Sequence, residues 1–215
     1  MQVIKPLLSE QLRPTRIADL TLPEDVVHSF ERMVANGAPM NMIFYGKPGI
    51  GKTSAANILL KELAADVFEV NGSFDNVGTD ILHHVETFSR HFSLFGSLKV
   101  VFIDEADYLN KKAQASLRKI IENASHLTRF ILTGNYFDRF TDAITSRCTP
   151  ICFDVPLSDT NPVIDRMVLR YSARLTELGY IADEKTIRHI VSLYFPDLRS
   201  IANRFQLELE VKPVD

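Results

Sequence analysis

Gly46-Lys47-Pro48-Gly49-Ile50-Gly51-Lys52-Thr53 is a complete G-x-x-x-x-G-K-[ST] loop. It follows the apolar residues 42–45 and precedes a helical pattern over residues 53–63. This strand–loop–helix setting is the one in which the motif cradles phosphate groups, because its glycines let the backbone N–H groups converge on phosphate oxygens. The positive end of the following helix dipole favours the same anion. The sequence therefore predicts a nucleoside triphosphate site.

The residue types in this loop predict the role of each side chain. We expect Lys52 to reach the outer phosphates and the Thr53 hydroxyl to bind Mg²⁺. The expected ATP-binding residues of the loop are Gly46, Pro48, Gly49, Ile50, Gly51, Lys52, Thr53 and Ser54.

An apolar stretch with acidic residues at its end, residues 99–107, supplies the expected partner of the loop. Asp104 would stand at the carboxyl end of a buried strand, where ligands bind in parallel sheets, and would complete the Mg²⁺ site. Glu105 is suited to polarise an attacking water. Asn135, after the next apolar stretch, is suited to orient that water, although asparagine there is also compatible with a simple turn.

Composition restricts the protein class. The 215 residues carry a net charge of −3, with 46% hydrophobic and 24% charged residues, as in globular proteins. We expect no membrane segment, no secretory leader and a cytoplasmic location, which is the host cytoplasm if a phage encodes the chain. The two cysteines and six scattered histidines predict neither a disulfide framework nor a metal cluster.

The order of elements predicts an α/β fold. Strands are expected at residues 42–45, 66–70, 99–104, 129–133 and 151–153, alternating with helices, which indicates a parallel five-stranded sheet covered on both faces. Helical patterns at 161–178, 183–194 and 197–209 predict a small all-helical lid. We therefore expect a nucleotide-binding domain at residues 1–155, with 1–22 as an irregular leading segment, and a lid at 156–210.

Two arginines are candidates for a contact with the γ-phosphate, which often receives one. Arg147 precedes the fifth strand, and Arg199 lies at the start of the last lid helix. From the residues alone each is equally compatible with an ordinary surface position.

Taken together, the motifs resemble those of the AAA+ ATPase subunits of sliding-clamp loaders over residues 7–207. The resemblance is to the small subunits of replication factor C and to the large subunit of the T-even-type phage clamp loader. The segments that carry it are Leu12-Arg13-Pro14, the phosphate loop, Asp104-Glu105-Ala106-Asp107, Gln114-x-x-Leu117-Arg118, Thr133-Gly134-Asn135, Ser146-Arg147-Cys148 and Asp197-Leu198-Arg199.

The resemblance implies further roles. Arg147 would be an arginine finger that reaches ATP bound by the neighbouring subunit, Asn135 would be sensor 1 and Arg199 would be sensor 2. Arg13 and Pro14 would lie near the adenine. Gln114 and Arg118 would couple clamp or DNA contact to Glu105.

It also implies partners: other loader subunits in a five-membered ring, a sliding clamp and primer–template DNA, with ATP and Mg²⁺ as cofactors. Leu94 and Phe95 are the expected clamp contacts, whereas we expect Phe88 and Phe92 to pack in the core. Lys111 and Lys112, at a helix start where lysine loses the benefit of the helix dipole, are possible template-strand contacts or simply solvated residues.

One feature departs from the resemblance. Clamp-loader subunits carry a third, collar domain, and we expect none in these residues, whether the chain is a fragment or a collarless variant. Two alternative functions stay open at this point: another AAA+ DNA motor, such as a branch-migration helicase or a helicase loader, and a non-hydrolysing nucleotide-binding scaffold subunit.

Overall fold

A computed structural model describes residues 6–73, 79–93 and 97–211. Its main element is a parallel five-stranded sheet, which confirms the prediction from the sequence. The strand order, which the sequence did not predict, is β2-β3-β4-β1-β5. The strands are β1 (Met42–Tyr45), β2 (Asp66–Asn71), β3 (Lys99–Asp104), β4 (Thr128–Gly134) and β5 (Thr149–Cys152).

Helices connect and cover the strands. Within the described ranges they are α1 (Leu8–Gln11), α2 (Glu24–Asn36), α3 (Lys52–Glu62), α4 (Thr79–Arg90), α5 (Lys111–Ala124), α6 (Asp142–Thr145), α7 (Leu157–Glu177), α8 (Glu184–Tyr194) and α9 (Leu198–Glu208). Short 3₁₀ helices lie at Ile17–Asp19, Ala106–Tyr108 and Phe137–Arg139.

The three central strands, β3, β4 and β1, are buried on both faces, and this explains their largely apolar sequences. One face of the core includes Val101 and Phe130 together with apolar residues of α4 and α5. The other includes Phe44 and Phe102 with residues of α2 and α3. Because the strands are parallel, the carboxyl ends of β1, β3 and β4 lie at the same edge of the sheet, and the motifs are concentrated there.

The last three long helices share a third core, to which Leu8 and Leu12 of the leading segment also belong. A short antiparallel pair joins the connection between α7 and α8, β6 (Tyr180–Ile181), to the segment after α9, β7 (Glu210–Val211). The expectation of a lid made of helices alone omitted this pair, because two-residue strands leave no periodic pattern. The division into domains at residue 155 stays a prediction.

Several predicted boundaries need correction. Helix α7 begins at Leu157, ahead of Pro162, rather than at 161. Helix α4 ends at Arg90, so Phe92 is 79% exposed and the expectation that it packs in the core is wrong, whereas Phe88 does pack against the core. The predicted clamp contacts Leu94 and Phe95 lie outside the described residues. No helix in the described part of the chain combines the length and apolarity needed to cross a bilayer.

Candidate nucleotide-binding site

A cavity of about 630 Å³ opens where the sheet edge, the leading segment and the lid meet. This volume is typical of sites for small molecules and cofactors. Most of the predicted ATP-site residues line it: Arg13, Pro14, Pro48, Gly49, Ile50, Gly51, Lys52, Thr53, Ser54, Asp104, Glu105, Asn135 and Arg199. Gly46 and Arg147 are not among its lining residues.

The phosphate loop runs from β1 to the start of α3. Gly46, Gly49 and Gly51 have φ values of 142°, 77° and 98°, a region that other residues rarely adopt. Gly46 still contributes to the site, since its carbonyl oxygen accepts a hydrogen bond of 2.9 Å from Lys52 Nζ. The backbone N–H of Lys47 donates to Asp154 Oδ1 at 3.1 Å, which fixes the loop to the segment after β5.

Lys52 is the buried cation of the site, only 8% exposed. Besides Gly46 O, its Nζ donates to Lys47 O and to Asn135 Oδ1, each at 2.8 Å. Burial lowers the pKa of Lys52 from its ordinary value, while the nearby carboxylates, Asp107 foremost, act in the opposite direction. Three neutral oxygens thus position the ammonium group: two backbone carbonyl oxygens and the side-chain amide oxygen of Asn135.

The expected Mg²⁺ ligands Thr53 and Asp104 touch one another. Thr53 Oγ1 donates to Asp104 Oδ1 and Oδ2 at 2.9 and 3.1 Å, and Thr133 Oγ1 donates to the same Oδ1. Among the described residues no cluster of three histidine, cysteine, aspartate or glutamate side chains could hold a metal ion. One carboxylate and one hydroxyl fit Mg²⁺, which takes its remaining ligands from phosphates and water.

Glu105 stands in the left-handed region, with φ 54° and ψ 38°. A non-glycine residue there is strained and is typical of functional sites. Its N–H donates to Thr133 Oγ1 at 2.9 Å. Gly72 approaches it so closely that a Cβ at Gly72 would lie 2.6 Å from the Glu105 carbonyl oxygen. Thr133 thus bonds to the backbone of Glu105, and Glu105 lines the cavity.

Asn135 is oriented by a residue to which the sequence assigned no role. The Asp107 carboxylate, only 4% exposed, accepts hydrogen bonds through Oδ2 from the backbone N–H groups of Asn135 and Tyr136, at 3.1 and 3.2 Å. Thr133 was likewise missed. Asp107 follows β3 and Thr133 lies near the end of β4, and these two parallel strands are neighbours. This placement could have identified both residues as candidates, but sequence cannot show which side chains meet.

The lid contacts the phosphate loop directly. The N–H of Leu198 donates to Gly49 O at 3.1 Å. Asp197 caps α9 by accepting from the N–H groups of Arg199 and Ser200, each at 3.1 Å. The side chain of Arg199 is exposed and lines the cavity.

The leading segment is tied to α7 by arginines. Arg170 donates to the carbonyl oxygens of Leu12, at 2.9 Å, and of Asp19. Arg13 pairs with Glu10 at 2.8 Å and remains exposed. Arg13 and Pro14 line one side of the cavity. The hydrogen bonds from Arg170 hold the backbone on either side of them.

Arg147 lies apart from the cavity of its own chain. It follows α6, and its guanidinium bonds to Glu122 on α5 and to the carbonyl oxygen of Ala143. Arg118 also contacts Glu122, at 3.3 Å. The structure thus separates the two candidate arginines, with Arg199 at the cavity and Arg147 on another surface.

The remaining predicted residues lie on α5. Lys111 and Lys112 are exposed in its first turn, which contains no acidic residue and is capped by Asn110. Gln114 is buried and fully bonded: its amide donates to Leu109 O at 2.9 Å and Arg139 O at 3.0 Å, and accepts from Thr141 N at 2.8 Å. It links α5 to the loop that follows Asn135.

The chain is similar to known proteins over most of its length. The chain is 33% identical to a replication factor C small subunit of Aeropyrum pernix, covering 95% of this chain and 63% of that protein. It is 32% identical to replication factor C subunit 5 of Mus musculus and 29% identical to a probable replication factor C subunit 5 of Dictyostelium discoideum, covering 92% of this chain in both cases. The chain spans about three fifths of the length of these relatives.

The fold is also found in solved structures. A variant of RuvB from Thermotoga maritima matches with a TM-score of 0.66 at 20% identity, over 92% of this chain and 64% of that one. A second variant of that protein gives 0.65 at 19% identity, over 91% and 64%. The family model "ATPase family associated with various cellular activities (AAA)" matches residues 42–154, which run from β1 to just beyond β5. The chain therefore belongs to the AAA family of ATPases.

Proposed function

We propose that this chain is an ATP-hydrolysing subunit of a sliding-clamp loader. The observation that carries the proposal is the division of the charged groups between two surfaces. Lys52, Thr53, Asp104, Glu105 and Arg199 share one cavity, whereas Arg147 stands outside it on the face formed by α5 and α6. In ring-shaped ATPases an arginine that lies outside its own cavity can reach the nucleotide of a neighbouring subunit, and the position of Arg147 supports that role here. The similarity to replication factor C subunits over most of the chain supports this assembly.

In the proposed reaction the phosphate loop and Lys52 bind the triphosphate, and Thr53 with Asp104 holds Mg²⁺. Glu105 polarises the attacking water, which Asn135 orients. Arg199 contacts the nucleotide from the lid, so nucleotide binding couples the lid to the phosphate loop. Positioning and charge neutralisation supply most of the catalysis of phosphoryl transfer, and this arrangement provides both.

The proposed partners are other loader subunits in a five-membered ring, a sliding clamp and primer–template DNA, in the cytoplasm. Lys111 and Lys112 support the DNA contact, because two exposed lysines at a helix N-terminus create a site for phosphate groups. The exposed Phe92, just before the predicted clamp contacts Leu94 and Phe95, supports an apolar contact with the clamp. Gln114 supports the coupling role, since it joins α5 to the segment that follows Asn135.

The alternatives lack such an observation. A scaffold that does not hydrolyse ATP has no use for a strained Glu105 in the cavity lining or for an amide at Asn135. Another DNA motor would share the site but would need no clamp.

The test is ATP turnover per chain, measured across protein concentration with and without primed DNA and a sliding clamp purified from the same source. We expect a specific activity that rises with concentration and increases further when clamp and DNA are both present. A rate that stays near zero in the presence of both, despite tight ATP binding, would support the scaffold alternative. Stimulation by DNA that is indifferent to the clamp would support another motor.

A further inference from the structure

Glu122 on α5 lies between two arginines that come from different elements. Its Oε1 accepts from Arg147 Nε at 2.9 Å and also from Arg147 Nη2. Arg118, one helical turn earlier on α5, approaches the same oxygen with its Nε at 3.3 Å. One carboxylate thus joins Arg118 to Arg147 across the packing of α5 against α6.

The guanidinium of Arg147 is held at both ends. While Nε and Nη2 bond to Glu122, Nη1 donates to Ala143 O at 2.7 Å and to Ser146 Oγ at 2.9 Å. Because the five N–H donors of arginine form a fixed fork, these contacts define the plane of the group. They leave one N–H of Nη2 with no acceptor in the described part of the chain, and that donor is available to an external oxygen.

Electrostatics favours the same arrangement. The hydrogen bond from Arg147, with a smaller contribution from Arg118, lowers the pKa of Glu122, so this residue is a carboxylate at neutral pH. Without the Glu122 carboxylate, the guanidinium groups of Arg118 and Arg147 would lie on one surface with no negative charge between them. Exposed ion pairs of this kind contribute little to folding stability. The contact is therefore better explained by what it does to Arg147.

We propose that Glu122 is a positioning residue, which orients Arg147 for contact with a nucleotide bound by the adjacent subunit. This inference rests on the proposed function, because Arg147 has such a target only in an assembly. A long arginine side chain is flexible, and ordering it before the neighbouring site forms removes an entropic penalty from the reaction. Glu122 itself contacts no reacting atom.

The test uses mixed assemblies in which one chain donates the finger and another holds the active site. The donor carries Glu105→Gln, which keeps Arg147 but cannot hydrolyse ATP. The acceptor carries Arg147→Ala, which keeps a complete cavity but has no finger. With clamp and primed DNA present, neither alone should turn over ATP, and their mixture should regain activity at acceptor sites that face donor fingers.

Glu122→Gln is then added to one chain at a time. In the donor we expect it to lower the regained activity on the order of tenfold, as for a misaligned catalytic group. In the acceptor we expect no change, and the dissociation constant for ATP should be the same in every variant. Glu122→Asp in the donor should recover part of the activity, because the charge remains but the reach is shorter.

The matched control is Asp165→Asn. Asp165 is an exposed carboxylate that pairs with Arg188 at 2.5 Å between α7 and α8. This substitution should have no effect in either chain. An equal loss with Glu122→Gln in donor and acceptor would show a general structural role, and no loss, or a gain, would show that Arg147 needs no such support. Each of these results overturns the inference while leaving the proposed function intact. If the unmodified mixture is inactive, the trans role of Arg147 fails, and the role of Glu122 fails with it.

Discussion

Lys52 and Asn135 are joined by a hydrogen bond of 2.8 Å from Nζ to Oδ1, which connects the phosphate loop to the end of β4. The other two protons of the ammonium group go to backbone carbonyls of the loop itself. A phosphate oxygen that binds Lys52 must replace one of these partners, and the side-chain amide is the one that can move without disturbing the loop. We infer that nucleotide binding releases Asn135 to act on the attacking water.

Replacing Asn135 with alanine should therefore separate binding from hydrolysis. We expect ATP affinity to be maintained, because Lys52 loses only a competitor of the phosphate. The turnover number of the assembled protein should fall by about two to three orders of magnitude, the effect of removing one oriented polar group. Binding by titration calorimetry and turnover by phosphate release would test both. Tyr136→Ala, which keeps the backbone N–H bonded to Asp107, is the control and should have neither effect.

Replacing Lys52 with alanine should instead weaken ATP binding strongly. One charge-assisted hydrogen bond to phosphate is lost, which contributes about 1.5–3 kcal/mol, so the dissociation constant should rise about 10- to 100-fold. Lys61→Ala, an exposed lysine near the end of the same helix, is the matched control and should bind normally. Binding of a fluorescent ATP analogue would measure both. Equal affinity in the two variants would contradict the assignment of the loop.

Glu105→Gln should trap the ATP-bound state. The amide keeps the size of the side chain but cannot accept a proton from water, so hydrolysis should fall about 10²–10⁴-fold while ATP binding persists. Single-turnover measurements with radiolabelled ATP should show bound ATP that remains uncleaved. Rapid cleavage by this variant would mean that another group, such as Asp107, polarises the water.

Much of this site was predictable because its residues occupy consecutive motifs on a repeating strand–helix pattern. The loop at 46–53 and the acids after β3 meet for a simple reason: parallel strands place their carboxyl ends at one edge. The residues are distant in sequence, but the parallel arrangement of the strands is enough to bring them together. It is why Lys52, Thr53 and Asp104 could be assigned together.

Other parts depend on contacts that no local pattern encodes. The Glu122–Arg147 pair joins two helices through side chains alone, and Asp107 acts through the backbone N–H of Asn135 rather than through a motif. Phe92 shows the opposite failure. Its helical spacing predicts burial, yet the helix ends at Arg90 and leaves the ring exposed. Where a helix stops depends on tertiary packing, which periodicity does not report.

The two cysteines should differ sharply in reactivity. Cys148 is buried, and burial raises its pKa to about 12, whereas Cys152 is exposed. Because the thiolate is the reacting form, a disulfide reagent at pH 8 should modify one thiol rapidly in the native protein and both after unfolding. Cys152→Ser should remove the rapid reaction. Since the unfolded thiol ionises at lower pH than the buried one, Cys148 should also make the protein less stable as pH rises above about 9. Two rapidly reacting thiols in the native state would contradict the burial of Cys148.

Gly49→Ala adds only a methyl group, but we expect it to impair the nucleotide-binding site strongly. Gly49 has φ 77°, and a Cβ there would lie 2.3 Å from Asp197 Oδ1, which caps the lid helix α9. The clash would separate the phosphate loop from the lid, so we expect weaker ATP binding as well as a lower melting temperature. Gly37→Ala is the matched control, because its φ of 58° carries similar strain with no atom within 4 Å of the added Cβ. It should lower stability by about 1–2 kcal/mol and leave ATP affinity unchanged. Thermal unfolding and calorimetric titration of both variants would separate backbone strain from the steric contact. Equal ATP affinity in the two would show that the lid does not need Gly49 to meet the loop.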